Sequence, residues 1–132
     1  MSSHELKHVI ENADKAIMAE DFDALMDFYD KHATLVVRPG LHAAGREQIY
    51  KAFVAIADYF HHSLKISQDK MTIIEGGDTA LVLAEAVLTT TGDDGAAMSL
   101  VRRATYVFRK SVEDKWLCLI DNSYGTELLN EL

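Results

Sequence analysis

The spacing of apolar residues changes once along this chain, near residue 64, and that change restricts the fold more than any other feature. Before it, apolar residues recur every three or four positions. Leu6, Val9, Ile10, Ala13 and Ile17 share one face of a helix predicted over residues 3–20, and Ser2 with Glu5 has capping-box spacing at its start. Asp21 has the character of an N-cap for a second, short helix on which Phe22, Leu25, Met26, Phe28 and Tyr29 crowd one side. Residues 34–38 form a β-branched run that ends at Arg38-Pro39-Gly40, because proline cannot donate to a ladder. Gly45 opens a third helix with Ile49, Phe53, Ile56, Ala57 and Phe60 in one stripe. Beyond the change, residues 64–75, 80–91, 98–110 and 115–123 are rich in β-branched and aromatic types. Gly76-Gly77-Asp78, Gly92-Asp93-Asp94-Gly95 and Val112-Glu113-Asp114 separate them. Turns this short make consecutive strands antiparallel neighbours, so the expected class is α+β, with three N-terminal helices packed on one face of an antiparallel sheet.

Composition narrows the function. With 132 residues, 48% of them hydrophobic and 26% charged, the chain is read as one globular domain over 1–132 with a sizeable core. A formal charge of -8 argues against a phosphate-backbone partner, and Arg102-Arg103 is too small a basic cluster to reverse it. The N-terminus lacks the pattern of a signal peptide, and no run of about 18 apolar residues occurs. Cys118 stands alone, so no intrachain disulfide is expected. A cytoplasmic protein without membrane or nucleic-acid partners is the reading. His4 and His8 have metal-compatible spacing but no third ligand nearby, and His61-His62 would point apart on a helix, so no metal is expected. Without a P-loop, a dinucleotide fingerprint or a nucleophile elbow, no cofactor is expected either.

Four stretches, in this order and spacing, carry a resemblance: Ala19-Glu-Asp-Phe-Asp-Ala-Leu25; Phe28-Tyr-Asp-Lys-His-Ala-Thr-Leu35 leading into Arg38-Pro39-Gly40; Gly45-Arg-Glu-Gln-Ile49; and Arg103-Ala-Thr105 ahead of Lys115-Trp116. The chain resembles the NTF2-like superfamily, and within it the SnoaL-like and ketosteroid-isomerase-like proteins. The resemblance implies a cystatin-like cone, a curved sheet wrapped on helices around a ligand-sized pocket, and often a dimer built on the outer sheet face. It also implies where isomerase chemistry would sit. The residue preceding the proline, an aspartate base in the isomerases, is Arg38 here, which cannot accept a proton. The oxyanion tyrosine falls on Ala13 and its carboxylic-acid partner at or near Thr105, so the isomerase proton shuttle is absent.

Aligned on that pattern, the concave face would carry Leu81, Leu83, Glu85, Val87 and Thr89, then Ser99, Val101, Arg103, Thr105 and Val107, then Leu117, Leu119, Asp121 and Ser123. Arg38, Glu85, Arg103, Thr105 and Asp121 thus form the expected ligand-binding set. Glu85 and Asp121 are its candidate catalytic carboxylates, and Arg103 is the cation expected to hold them. A free guanidinium there would suit an anionic ligand. The opposite face, with Val82, Ala84, Ala86, Leu88, Ala104, Tyr106, Phe108, Trp116, Cys118 and Ile120, is apolar enough to predict a second protomer. Tyr29 and Tyr59 are expected to close the helical side of the core. Three functions follow: a homodimeric NTF2-like protein binding a small, partly apolar organic molecule; a SnoaL-like polyketide cyclase or diverged isomerase; or a non-catalytic homodimeric association module.

Overall fold

A computed structural model of the chain describes residues 4–92 and 94–130. Helix α1 (Glu5–Ala19) buries Leu6, Ile10 and Ala13. Ser2 lies outside the described residues; the N-cap is His4, whose ring accepts from the Leu6 N–H at 3.0 Å. Glu20 ends the helix in a left-handed conformation. Helix α2 (Phe22–Leu25) starts at the predicted cap, with Asp21 accepting from the Ala24 N–H. A turn of 3-10 helix over Met26–Phe28 leads directly into β1 (Tyr29–Arg38), so Tyr29 opens a strand instead of ending a helix. After Pro39-Gly40 the chain returns as the short strand β2 (Leu41–Ala44), then enters α3 (Gly45–Tyr59).

The long strands are β3 (Lys65–Gly76), β4 (Thr79–Thr91), β5 (Ala97–Lys110) and β6 (Trp116–Asn122). Of the turn over residues 92–95, Asp93 lies outside the described residues. The six strands form one curved sheet in the order β2-β1-β6-β5-β4-β3. Consecutive strands pair antiparallel, as their turns require, while β1 and β6 run parallel, which makes the sheet mixed. That pairing depends on where a strand 80 residues away docks, which local patterning does not encode. Helix α3 packs against β1 and α1 against β3, and both line the cavity over the inner sheet face. None of the helices among the described residues is long and apolar enough to cross a membrane.

The covered face is the one expected to lie outside. In β4 the buried apolar residues are Ala80, Val82, Ala84 and Ala86, and in β5 they are Ala104 and Phe108, whereas Leu81, Leu83 and Val101 are exposed. Alternation fixes which residues share a face but not which face is covered, and here both alternating sets are apolar. Small side chains let helices approach the sheet closely; the alanines therefore face inward. In β6 a bulge intervenes: Val107 pairs with Ile120 and Phe108 with Cys118, leaving Leu119 as an extra residue. Trp116 and Cys118 point into the core, the bulge shifts the phase, and Asp121 points inward as well while Ile120 lies 42% exposed outside.

Candidate functional site

The inversion of β4 and β5 separates the expected site residues. Glu85 and Arg103 are cross-strand partners on the outer face, with Arg103 Nε 3.7 Å from Glu85 Oε1 and the Arg103 side chain 82% exposed. Lys70 Nζ approaches Glu85 from β3 at 4.0 Å. Thr105 lies on the same outer face, where its hydroxyl accepts from Asn122 Nδ2 at 3.2 Å. These residues line an open groove of about 320 Å3 outside the cone. Arg38 is exposed at the end of β1, outside the lining of either depression described here. Only Asp121 of the predicted set points into the interior. Arg103 therefore does pair with a carboxylate, but in solvent and not in a cavity, and Asp121 has no guanidinium beside it.

Inside the cone is a different constellation. A cavity of about 160 Å3 lies between the helices and the inner sheet face, with Ile17, Phe53, Phe60 and Leu88 among its apolar walls. Its polar lining includes Asp14 from α1, Gln68 from β3, Tyr106 from β5 and Asp121 from β6. Arg102 and Tyr124 are lining residues too; the guanidinium stacks over the Tyr124 ring at 4.3 Å and pairs with Glu127 at 3.5 Å. The one lining cation is thus already engaged.

Asp14 and Asp121 are each only 8% exposed. Tyr29, fully buried at the start of β1, donates its hydroxyl to Asp121 Oδ2 at 2.6 Å. Its backbone is anchored from α3, since Arg46 donates from Nε and Nη2 to the Tyr29 carbonyl at 2.9 and 2.7 Å. Gln68 Nε2 donates to Asp14 Oδ2 at 2.7 Å. Neither carboxyl has a cationic partner among the described residues. Burial accordingly pushes the Asp121 carboxyl up to about 6 despite the Tyr29 hydrogen bond. It pushes Asp14 up to about 7 against the Gln68 hydrogen bond, with the negative charges of Asp121 and Glu11 adding to the rise. Burial also holds the Tyr106 phenol neutral, well above its ordinary value. The arrangement offers a proton acceptor, a proton donor and a neutral hydroxyl in one water-poor space.

Tyr29, Asp14, Gln68 and Tyr106 were not among the expected site residues, and Tyr59, expected in the core, is 77% exposed. One signal was present for Asp14: it stands four residues after Ile10 and three before Ile17, on the apolar stripe of α1, where a carboxylate has no structural use. No cluster of three or more His, Cys, Asp or Glu able to hold a metal occurs among the described residues.

A cone of helices on a curved mixed sheet, with a small, partly open cavity between them, defines an NTF2-like protein of cystatin-like fold. The chain belongs to the SnoaL-like domain family, whose model matches residues 6–117. No curated protein matches it. Among solved structures it is similar to Aln2 from a Streptomyces species, at 19% identity and a TM-score of 0.78 over 89% of this chain and 86% of that one. A provisionally assigned dehydratase of the NTF2-like family from Streptomyces avermitilis aligns at 18% identity and TM-score 0.75, over 89% and 92% of the two chains. The association domain of C. elegans CaMKII aligns at 18% identity and TM-score 0.70, over 89% and 90%. At such identities the likeness concerns the fold alone.

Proposed function

We propose that the protein binds a small, partly apolar organic molecule inside the cone and transfers protons on it, in the manner of an isomerase, lyase or cyclase. The observation that carries this reading is the pair of buried carboxyl groups, Asp14 and Asp121, lining one cavity with no ion pair to either among the described residues, so that burial pushes them up to about 7 and about 6. A structural ion pair would hold its acid low; these are poised near neutrality. Asp121, oriented by Tyr29, is the base that accepts a proton from a carbon acid. Asp14 delivers a proton, and Tyr106, whose hydroxyl has no hydrogen-bond partner among the described residues, donates to the oxyanion that develops. The volume sets the substrate size. A cavity of about 160 Å3 resembles the ~150 Å3 space that accommodates benzene, so the part of the substrate held beside the two carboxyl groups is of about one ring.

Deuterium exchange from D2O into a panel of single-ring ketones, followed by NMR, tests this. Protein-dependent exchange should rise through the Asp121 titration and fall by about 10²–10⁴-fold in Asp121→Asn. Exchange undiminished in that variant would rule the base out. A second protomer on the outer sheet face belongs to the same reading, because Leu81, Leu83, Val101 and Ile120 are exposed there together. It also accommodates the association-module alternative, in which that face carries the function. Catalysis by the cavity and assembly by the face are compatible.

A further inference from the structure

Two carboxyl groups in one apolar cavity carry negative charge that the fold does not compensate. Asp14 and Asp121 are each only 8% exposed. Tyr29 occupies one oxygen of Asp121 and Gln68 one oxygen of Asp14, so each carboxyl keeps an oxygen with no donor among the described residues. Those two oxygens retain accessible surface, unlike Gln68 Oε1, which is closed off. Because both residues line the cavity, that surface opens into it. The Tyr106 hydroxyl, without a hydrogen-bond partner among the described residues, lines the same space. At pH 7 the Asp121 carboxyl, at about 6, is mostly ionised, and the Asp14 carboxyl, at about 7, is about half ionised. Glu11 adds a negative charge from α1, while Arg102 of β5 is held by Tyr124 and Glu127. The formal charge of the whole chain, -8, has the same sign, so its outer field draws cations in.

We infer that the ligand is an organic cation, a ring-sized group bearing a protonated amine whose N–H groups donate to the free oxygens of Asp14 and Asp121. Folding has already stripped both carboxyl groups of water, so binding has only the desolvation of the amine to overcome, and charge-assisted hydrogen bonds offset it. A neutral alcohol satisfies the same lone pairs but leaves the charge in place, and a carboxylate adds to it. An ammonium has three donors, enough for one oxygen of each carboxyl and the Tyr106 hydroxyl. The rings of Phe53, Phe60 and Tyr106 in the lining also suit a cation, because aromatic faces attract positive charge. A metal ion fits less well: two carboxyl groups fall short of a ligand set, and no cluster of three His, Cys, Asp or Glu occurs among the described residues. Ile17 and Leu88 match the hydrocarbon part of an amine instead. This inference names the substrate class of the cavity and rests on that cavity being the ligand site proposed above. Asp121 remains the base, and a protonated Asp14 passes its proton to the nitrogen of an amine that enters neutral, leaving a carboxylate beside an ammonium.

Binding of benzylammonium, benzyl alcohol, ethylbenzene and benzoate to the whole chain at pH 7, by calorimetry or ligand-observed NMR, tests it. The first three have nearly the same shape and differ in the group presented to the carboxyl oxygens. Benzylammonium should bind at least about tenfold more tightly than benzyl alcohol, the gain of a charge-assisted over a neutral hydrogen bond, and benzoate should bind weakest. In Asp14→Asn and in Asp121→Asn that preference should shrink, while ethylbenzene affinity is retained. A preference unchanged in both variants places the amine on the acidic surface, not in the cavity, and overturns the inference. Equal binding of benzylammonium and benzyl alcohol to the parent chain, or benzoate as the tightest ligand, also overturns it and leaves the proton-transfer reading to the exchange measurement on uncharged ketones. Binding of none of the four removes both.

Discussion

A carboxyl group buried without a cation is costly at neutral pH, and Asp14 and Asp121 are two of them. Their folded-state values, about 7 and about 6, lie above the 3.8 of an exposed aspartate, so between those limits the folded chain binds more protons than the unfolded chain. Stability therefore falls as pH rises from about 4 to about 7, by an amount on the order of a few kcal/mol for the pair. Asp30 works the other way. The His32 backbone N–H and Arg109 hold its carboxyl below the usual range, so its contribution is lost only in stronger acid. Thermal unfolding should show a higher midpoint at pH 5 than at pH 8, and Asp14→Asn should flatten that difference; a midpoint independent of pH across this range would contradict the burial argument. Tyr29→Phe removes the one hydrogen bond that lowers the Asp121 value, so the Asp121 titration seen by carbon-detected NMR should move above about 6. Arg103→Met, by contrast, removes an exposed pairing and should change stability by less than about 1 kcal/mol. Its unfolding curve should overlay that of the parent.

Among the elements, β6 decides where the chemistry sits. Without the bulge that Leu119 occupies, strict alternation along the strand that buries Trp116 and Cys118 would send Asp121 outward. Past its end the chain turns sharply: Asn122 Oδ1 accepts from the Tyr124 and Gly125 N–H groups, and Asn122 Nδ2 donates to the Gly125 carbonyl. Gly125 has a φ of +56°, and a Cβ there would collide with the carbonyl oxygen of Arg103. Gly125→Ala should therefore destabilise the fold by about 1–3 kcal/mol and displace the short 3-10 helix over Gly125–Leu129, releasing Tyr124 and Glu127 from Arg102. Denaturant unfolding measures the first effect, and proteolysis near residue 125 the second. An unchanged midpoint would mean that β5 yields at little cost.

Across the whole molecule, the helices cover one sheet face and leave the other with Leu81, Leu83, Val101 and Ile120 in water. The parent chain should sediment as a dimer and Leu83→Asp as a monomer; a monomeric parent would dismiss the proposed second protomer. The period change at residue 64, the turn residues and the Pro39 break made the helices, the long strands, their order and the α+β class readable, because these depend on contacts close in sequence, whereas the short β2 and the first half of β1 were not read as strands. The polar residues were readable as a list but not as a site. Glu85, Arg103 and Asp121 share a parity in the sequence, yet one bulge residue in β6 and the choice of sheet face sent the first two outward and the third inward. Asp14 and Asp121, over 100 residues apart in the sequence, came into one cavity only when α1 was laid across the inner face. Periodicity depends on backbone geometry that each segment carries with it. Which face is covered, and which carboxyl loses its water, depends on docking between segments, and only the tertiary structure decided that.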